Sequence, residues 1–225
     1  MRRFMAIFLC ASLCLGFEPE MVDAPEKPFT KRVLFVLDCS GSMDERDKIA
    51  QAVDAFISIS GQAVDEMEIG IIGFGSHSYR WEGVPEEGEH PIPKGWAAMP
   101  SQEAVQKAQQ WLVGIRVGSN VKFSTILSPA LMAALNEERD QVTVVLITDG
   151  HIMDSLDKPA IVSNVENAIR HRAENSPIVL SVIAVGGGNE FLRNLARVGQ
   201  GGYFRVPTVA ESDEESPQPP QGYPH

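Results

Sequence analysis

The chain has 225 residues, 44% of them apolar and 22% charged. That composition bounds it to one globular domain of roughly 170–200 residues plus terminal segments. Its formal net charge of −11 disfavours binding to nucleic-acid backbone or anionic lipid, which need Lys/Arg-rich surfaces, and solubility is the plain reading of the acidity.

At the start, Arg2 and Arg3 precede an apolar run from Phe4 to Leu15 that only Ser12 interrupts, and Gly16 offers a small residue for cleavage. This is the layout of an export signal over residues 1–16, and the run is too short for the ~20 residues that span a bilayer. A buried N-terminal helix or strand is the alternative. Cys10 and Cys14 lie inside the run, without the small residue immediately upstream that a lipoprotein signal wants. Removing Arg2 and Arg3 leaves 17 basic residues against 30 acidic ones, a net of −13, and leaves Cys39 as the one cysteine. A mature domain with a single cysteine folds without an internal disulfide. No other apolar run is long enough to cross a membrane, so the mature form is expected to be soluble.

Residues 17–31, rich in Pro and charge, read as a linker. Val33 to Leu37 is a continuous run of β-formers, the mark of a strand buried on both faces. Asp44 and Glu45 suit a helix first turn, and Ile49, Val53, Phe56 and Ile57 repeat on one helical face. Met67 to Phe74 is a second apolar strand. His77 to Val84 predicts a short antiparallel edge strand, because the connection is too tight for a parallel crossover. Residues 85–100 read as a surface loop flanked by Trp81 and Trp96. Those tryptophans are either an exposed specificity surface or folded down over the sheet edge. Ser101 caps a helix carrying Val105, Ala108, Trp111 and Leu112, and residues 114–124 read as loop. Ser128-Pro129 starts another helix. Val142 to Thr148 is a strand ending at Asp149-Gly150. A helix with Ile161, Val165 and Ile169 follows, then a strand from Ile178 to Val185. Asn189 caps a short helix that Gly199 ends, and Tyr203 to Val206 is a last strand. From 207 to 225 the chain is an acidic, Pro-rich tail, expected to be disordered.

Doubly buried strands alternating with helices imply an α/β domain over 32–206, with a mostly parallel sheet, one antiparallel edge strand and helices on both faces. Sites in such folds lie at the C-terminal ends of the strands. Asp38 and Asp149 both follow a strand end, so they share a rim with Ser40, Ser42 and Thr125. Hard oxygen donors of this kind suit Mg2+, or Mn2+ or Ca2+, and the lack of Cys/His pairs argues against zinc. The alternate spacing Asp38-x-Ser40-x-Ser42 lets one turn aim its side chains at a single point. The same residues would also suit a helix-capping turn without metal, and Asp149-Gly150 an ordinary strand-end turn. His151 and Asp154 lie close behind Asp149, as rim residues or plain loop residues. Cys39 reads as small buried packing, since no His lies near it in sequence.

Asp38-Cys39-Ser40-Gly41-Ser42, Thr125 at a mid-chain helix start and Thr148-Asp149-Gly150 occur in an order that resembles the metal-ion-dependent adhesion site of von Willebrand factor type A (VWA) domains. The closing run Leu192, Leu195-Ala196 and Gly201-Gly202-Tyr203-Phe204 is similar to the end of such domains. The resemblance covers about residues 32–206 and implies a three-layer, Rossmann-like VWA fold. It implies Ser40, Ser42 and Thr125 as direct metal ligands, with Asp38 and Asp149 acting directly or through water. It also implies an acidic residue of a protein partner as the remaining ligand. The expected function is thus an exported, metal-dependent adhesion or interaction module with no catalytic activity. A metal-independent scaffold of the same fold is the alternative. A phosphoester or ester hydrolase using Asp38 or Ser40 fits less well. A haloacid-dehalogenase-like site wants Asp where Ser40 stands, an α/β-hydrolase turn wants Gly where Asp38 stands, and no phosphate-binding G-x-x-x-x-G-K-[ST] loop is present.

Overall fold

The apolar runs become the strands of one sheet. In the computed structural model the elements are β1 (Glu20–Asp23), β2 (Arg32–Asp38), α1 (Lys48–Gly61), β3 (Met67–Phe74), β4 (Ser78–Arg80), β5 (Ala97–Met99), α2 (Gln102–Gly118), α3 (Ser128–Leu135), β6 (Val142–Thr148), α4 (Lys158–Arg172), β7 (Ile178–Val185), α5 (Glu190–Val198) and β8 (Gln200–Val206). The structure describes residues 20–23, 32–43, 48–61, 67–85, 92–99, 101–118, 125–139, 141–154, 156–172 and 177–206. The expected export signal over 1–16, Asp44 and Glu45, residues 86–91 and 100 of the expected loop, and the 207–225 tail lie outside the described residues. Among the described residues, no helix is long and apolar enough to cross a membrane.

The sheet order is β1-β8-β7-β6-β2-β3-β4, with β5 also paired to β3. β3, β2, β6, β7 and β8 are mutually parallel. From β2 the chain moves one way to β3 and later returns to lay β6 on the other side of β2. The C-terminal ends of β2 and β6 therefore flank the point where the strand order reverses, and open α/β sheets bind ligands in that crevice.

The expected edge strand is β4, antiparallel to β3 at Ile72–Phe74. Two further antiparallel strands join it. β5 pairs with the start of β3 at Met67–Ile69, so β4 and β5 together cover one edge of the sheet. β1, inside the stretch read as a linker, pairs with β8 on the other edge. Edge strands of four and three residues leave only a short row of unpaired backbone groups to template association. β5 lay hidden in a Pro- and Gly-rich stretch, and β1 in a charged one, because three or four residues are too few to display a period. α2 also runs through Gly114 to Gly118, beyond the expected helix end, because an exposed glycine costs a helix only about 1 kcal/mol.

The long central strands feed two cores. Leu34, Val36, Val144, Leu146, Leu180 and Val182 face α3, α4 and α5. Val33, Phe35, Leu37, Val145 and Ile147 face α1 and α2. Phe35 meets Phe56 of α1 edge-on, with ring centroids 4.9 Å apart. Arg172, at the end of α4, donates to the Leu135 carbonyl at 3.1 Å and also to the carbonyl of Glu137, closing the C-terminus of α3.

The tryptophans are not a specificity surface. Trp81 and Trp96 are 3% and 1% exposed, one in each core. The Arg80 and Arg139 guanidinium carbons lie 5.5 and 5.2 Å from the Trp96 ring centroid. Arg80 pairs with Glu137 at 3.0 Å and Arg139 with Glu68 at 2.5 Å. Trp96→Ala should therefore cost about 3–5 kcal/mol of stability, the range for a buried aromatic. Urea unfolding measures it, and a loss under 1 kcal/mol would place the ring at the surface instead.

Candidate metal centre

Parallel register brings the rim together. Leu37 pairs with Ile147 and Asp38 with Phe74, so Asp38 and Thr148 leave the sheet side by side. Asp38 is fully buried. One carboxylate oxygen accepts the Ser40 amide N–H at 2.9 Å, and the other accepts the Thr148 hydroxyl at 2.6 Å. Burial pushes this carboxyl up to about 6, with a small contribution from the Asp149 charge, although the bonds from Ser40 and Thr148 pull the other way.

The loop after Asp38 is held at both ends. The Cys39 amide donates to the Phe74 carbonyl at 2.8 Å, and the Met43 amide to the Ser40 carbonyl at 3.1 Å. Cys39 is buried, in keeping with a packing role. The resulting tight turn brings the Ser40 and Ser42 hydroxyls into a hydrogen bond with each other, their oxygens 3.1 Å apart.

Asp149, one residue past β6, is also buried. Burial alone would raise its pKa. The Lys48 ammonium at 2.8 Å, the His151 amide at 3.0 Å and the His151 ring Nδ1 at 3.0 Å outweigh that and hold the carboxyl below its usual range. Gly150 follows with φ +78, and an added Cβ there would meet the Asn189 side chain, so only glycine turns the chain here without strain.

Thr125 is buried and strung between two rim loops. Its carbonyl accepts the Met153 amide at 2.9 Å, and the Ile126 amide donates to the Gly75 carbonyl at 2.8 Å. Asp154 caps α3 from a distance by accepting the Ser128 amide at 2.7 Å. Asp154 is thus a fastener of the Thr125 segment, whereas His151 touches the site through Asp149. Lys48 has no role in the sequence reading, yet it is 4% exposed and bonded to Asp149. Its burial follows from pairing with a carboxylate 101 residues away, which no local pattern announces.

The donor set suits a hard divalent ion. Neighbouring ligands of an octahedral Mg2+ with ~2.0–2.1 Å bonds stand about 3 Å apart, and the Ser40 and Ser42 hydroxyls match that spacing. Among the described residues, no group of three or more His, Cys, Asp or Glu side chains gathers as a metal cluster. A site here relies on hydroxyls joined to two carboxylates, which fits oxygen-seeking ions better than zinc.

The Asp38 shift carries a sign. The folded carboxyl holds its proton up to about pH 6, whereas an unfolded Asp releases it near 3.9. The folded state therefore binds the extra proton between those values, and stability falls as pH rises through that window. In chelator, the wild type should lose about 2 kcal/mol relative to Asp38→Asn between pH 4.5 and pH 7. Asp149, whose pKa is lowered, contributes stability that is lost only below the unfolded Asp value, outside this window. Paired urea titrations read the difference, and identical pH slopes would contradict the assignment.

No protein-family description matches the sequence, and no curated protein does either. Solved structures do match. One is the ArnB paralog VWA2 from Sulfolobus acidocaldarius, at 16% identity and a TM-score of 0.50, covering 85% of this chain and 44% of that one. Others are two structures of proximal thread matrix protein 1 from the mussel byssus. The first has 12% identity and a TM-score of 0.49, covering 84% of this chain and 46% of that one. The second, described with a zinc-occupied MIDAS motif, has 17% identity and a TM-score of 0.47, covering 81% and 43%. The chain spans less than half the length of each of these structures. Identity this low speaks to architecture alone, and the architecture is that of the VWA fold.

Proposed function

We propose that the protein is an exported, divalent-metal-dependent protein-binding module. Asp38, Ser40, Ser42, Thr125 and Asp149 would hold the ion, with Mg2+ first and Mn2+ or Ca2+ as alternatives. An acidic side chain of a protein partner would complete the coordination. The observation that carries this reading is the pair of seryl hydroxyls 3.1 Å apart beside two buried carboxylates at the reversal point of the sheet. When bound, the ion supplies an electrophilic point for a carboxylate, because the few protein charges around it leave it incompletely neutralised. Export rests on the Arg2-Arg3 and apolar layout of residues 1–16.

A non-catalytic role agrees with the state of the two candidate nucleophiles. Asp38 has both carboxylate oxygens engaged and is fully buried, and Ser40 is 3% exposed. The second reading, a metal-independent scaffold, draws on Lys48, whose ammonium already partners Asp149.

Mn2+ binding measured by calorimetry on the wild type and on Asp38→Ala, Ser42→Ala, Thr125→Ala and Asp149→Ala tests the metal claim. Each variant should bind at least about tenfold more weakly. Asp149→Ala also strips the partner from a buried ammonium, a loss of about 3–5 kcal/mol, so Thr125→Ala is the cleaner comparison. Metal at 100 times its Kd should stabilise the wild type by about 2.7 kcal/mol. Equal affinity across the series would contradict the metal site.

A further inference from the structure

The Lys48 ammonium lies 2.8 Å from one Asp149 carboxylate oxygen and 3.1 Å from the Ser42 carbonyl. Both partners are residues that the proposed function assigns to the metal. The lysine side chain is 5% exposed and the Asp149 side chain 0%. Withdrawing an ammonium from water is costly unless a counter-charge repays it. What accounts for the burial of Lys48 is the electrostatics of the rim. Asp38 and Asp149 crowd negative charge into a buried corner, and Lys48 brings a positive one.

We infer that Lys48 is a tethered internal cation that shares Asp149 with the divalent ion and so sets the metal affinity of the rim. The inference rests on the proposed metal site and deepens it. Without the ion, the ammonium neutralises Asp149 and keeps the loop carrying Ser42 close to β6. As the ion arrives, it meets a carboxylate already paired with an ammonium and a like charge nearby, and both weaken its binding. Counting Asp38, Asp149, Lys48 and the ion among the described residues, with both carboxyls ionised, the loaded rim carries one positive charge in excess, and without Lys48 that group would be neutral. An anionic partner group relieves that excess. Lys48 thus favours a rim that binds metal moderately when alone and more tightly when a partner carboxylate is engaged.

Lys48→Met keeps the length and removes the charge. Calorimetry with Mn2+ alone should show that it binds about tenfold more tightly than the wild type. Its metal-free thermal midpoint should fall, and Mn2+ should restore it. Unchanged or weaker Mn2+ affinity in the folded variant would overturn the inference and make Lys48 a structural prop only. Should the variant not fold without metal, the wild type still decides. With 13Cε-labelled lysine and Lys48→Arg for assignment, the Lys48 resonance should move on Mg2+ titration, and a resonance that stays put while Mg2+ binds would overturn the inference. If the wild type binds no metal at all, the proposed function itself fails, which is a separate result from a wild type and variant that bind equally.

Discussion

The structure turns on two carboxylates brought together at the ends of β2 and β6. Parallel pairing sets Leu37 beside Ile147, so Asp38 emerges next to Thr148 and Asp149 follows one residue later on the same rim. Two ionised carboxyls in a buried corner repel and resist desolvation. The surrounding features are responses to that constraint. Thr148 and the Ser40 amide bond Asp38, burial raises the proton affinity of that carboxyl, and Lys48 with His151 steadies Asp149. A divalent ion would relieve the same repulsion more completely than a single ammonium.

The scaffold makes the corner possible by being rigid elsewhere. Alternate side chains of β2 supply both cores, so the strand cannot slip by one residue without exchanging its faces. The rim segments are fastened to one another. Asp154 and the Met153 amide hold the Thr125 segment to the loop after β6, and Gly75 holds it to the loop after β3. A site built from hydroxyls needs this support, because a hydroxyl is a weak ligand that works only when it is already aimed.

Much of this was legible in the residues. Doubly buried strands announce themselves as unbroken apolar runs, and Asp38 and Asp149 sit at strand ends where a parallel sheet gathers its chemistry. Other features were not legible, for physical reasons. β1 and β5 are short, and pairing with a partner strand, not periodicity, makes them strands. Trp81 and Trp96 flank a polar loop, and only the packed edge of β3, with Arg80 and Arg139 near the Trp96 ring, shows that they turn inward. Lys48 was the largest omission. A lysine among charged neighbours reads as solvated, and its burial depends on Asp149, 101 residues away. Periodicity reports which face a residue occupies, but long-range charge pairing leaves no local trace.

The most direct measurement is an anomalous diffraction map from crystals of the wild-type domain grown with Mn2+. A peak within about 2.5 Å of the Ser40 and Ser42 hydroxyls, with the Lys48 ammonium moved from Asp149, is the expected result. A rim without a peak at saturating Mn2+, with Lys48 still bonded to Asp149, would contradict the account and leave the scaffold reading in its place.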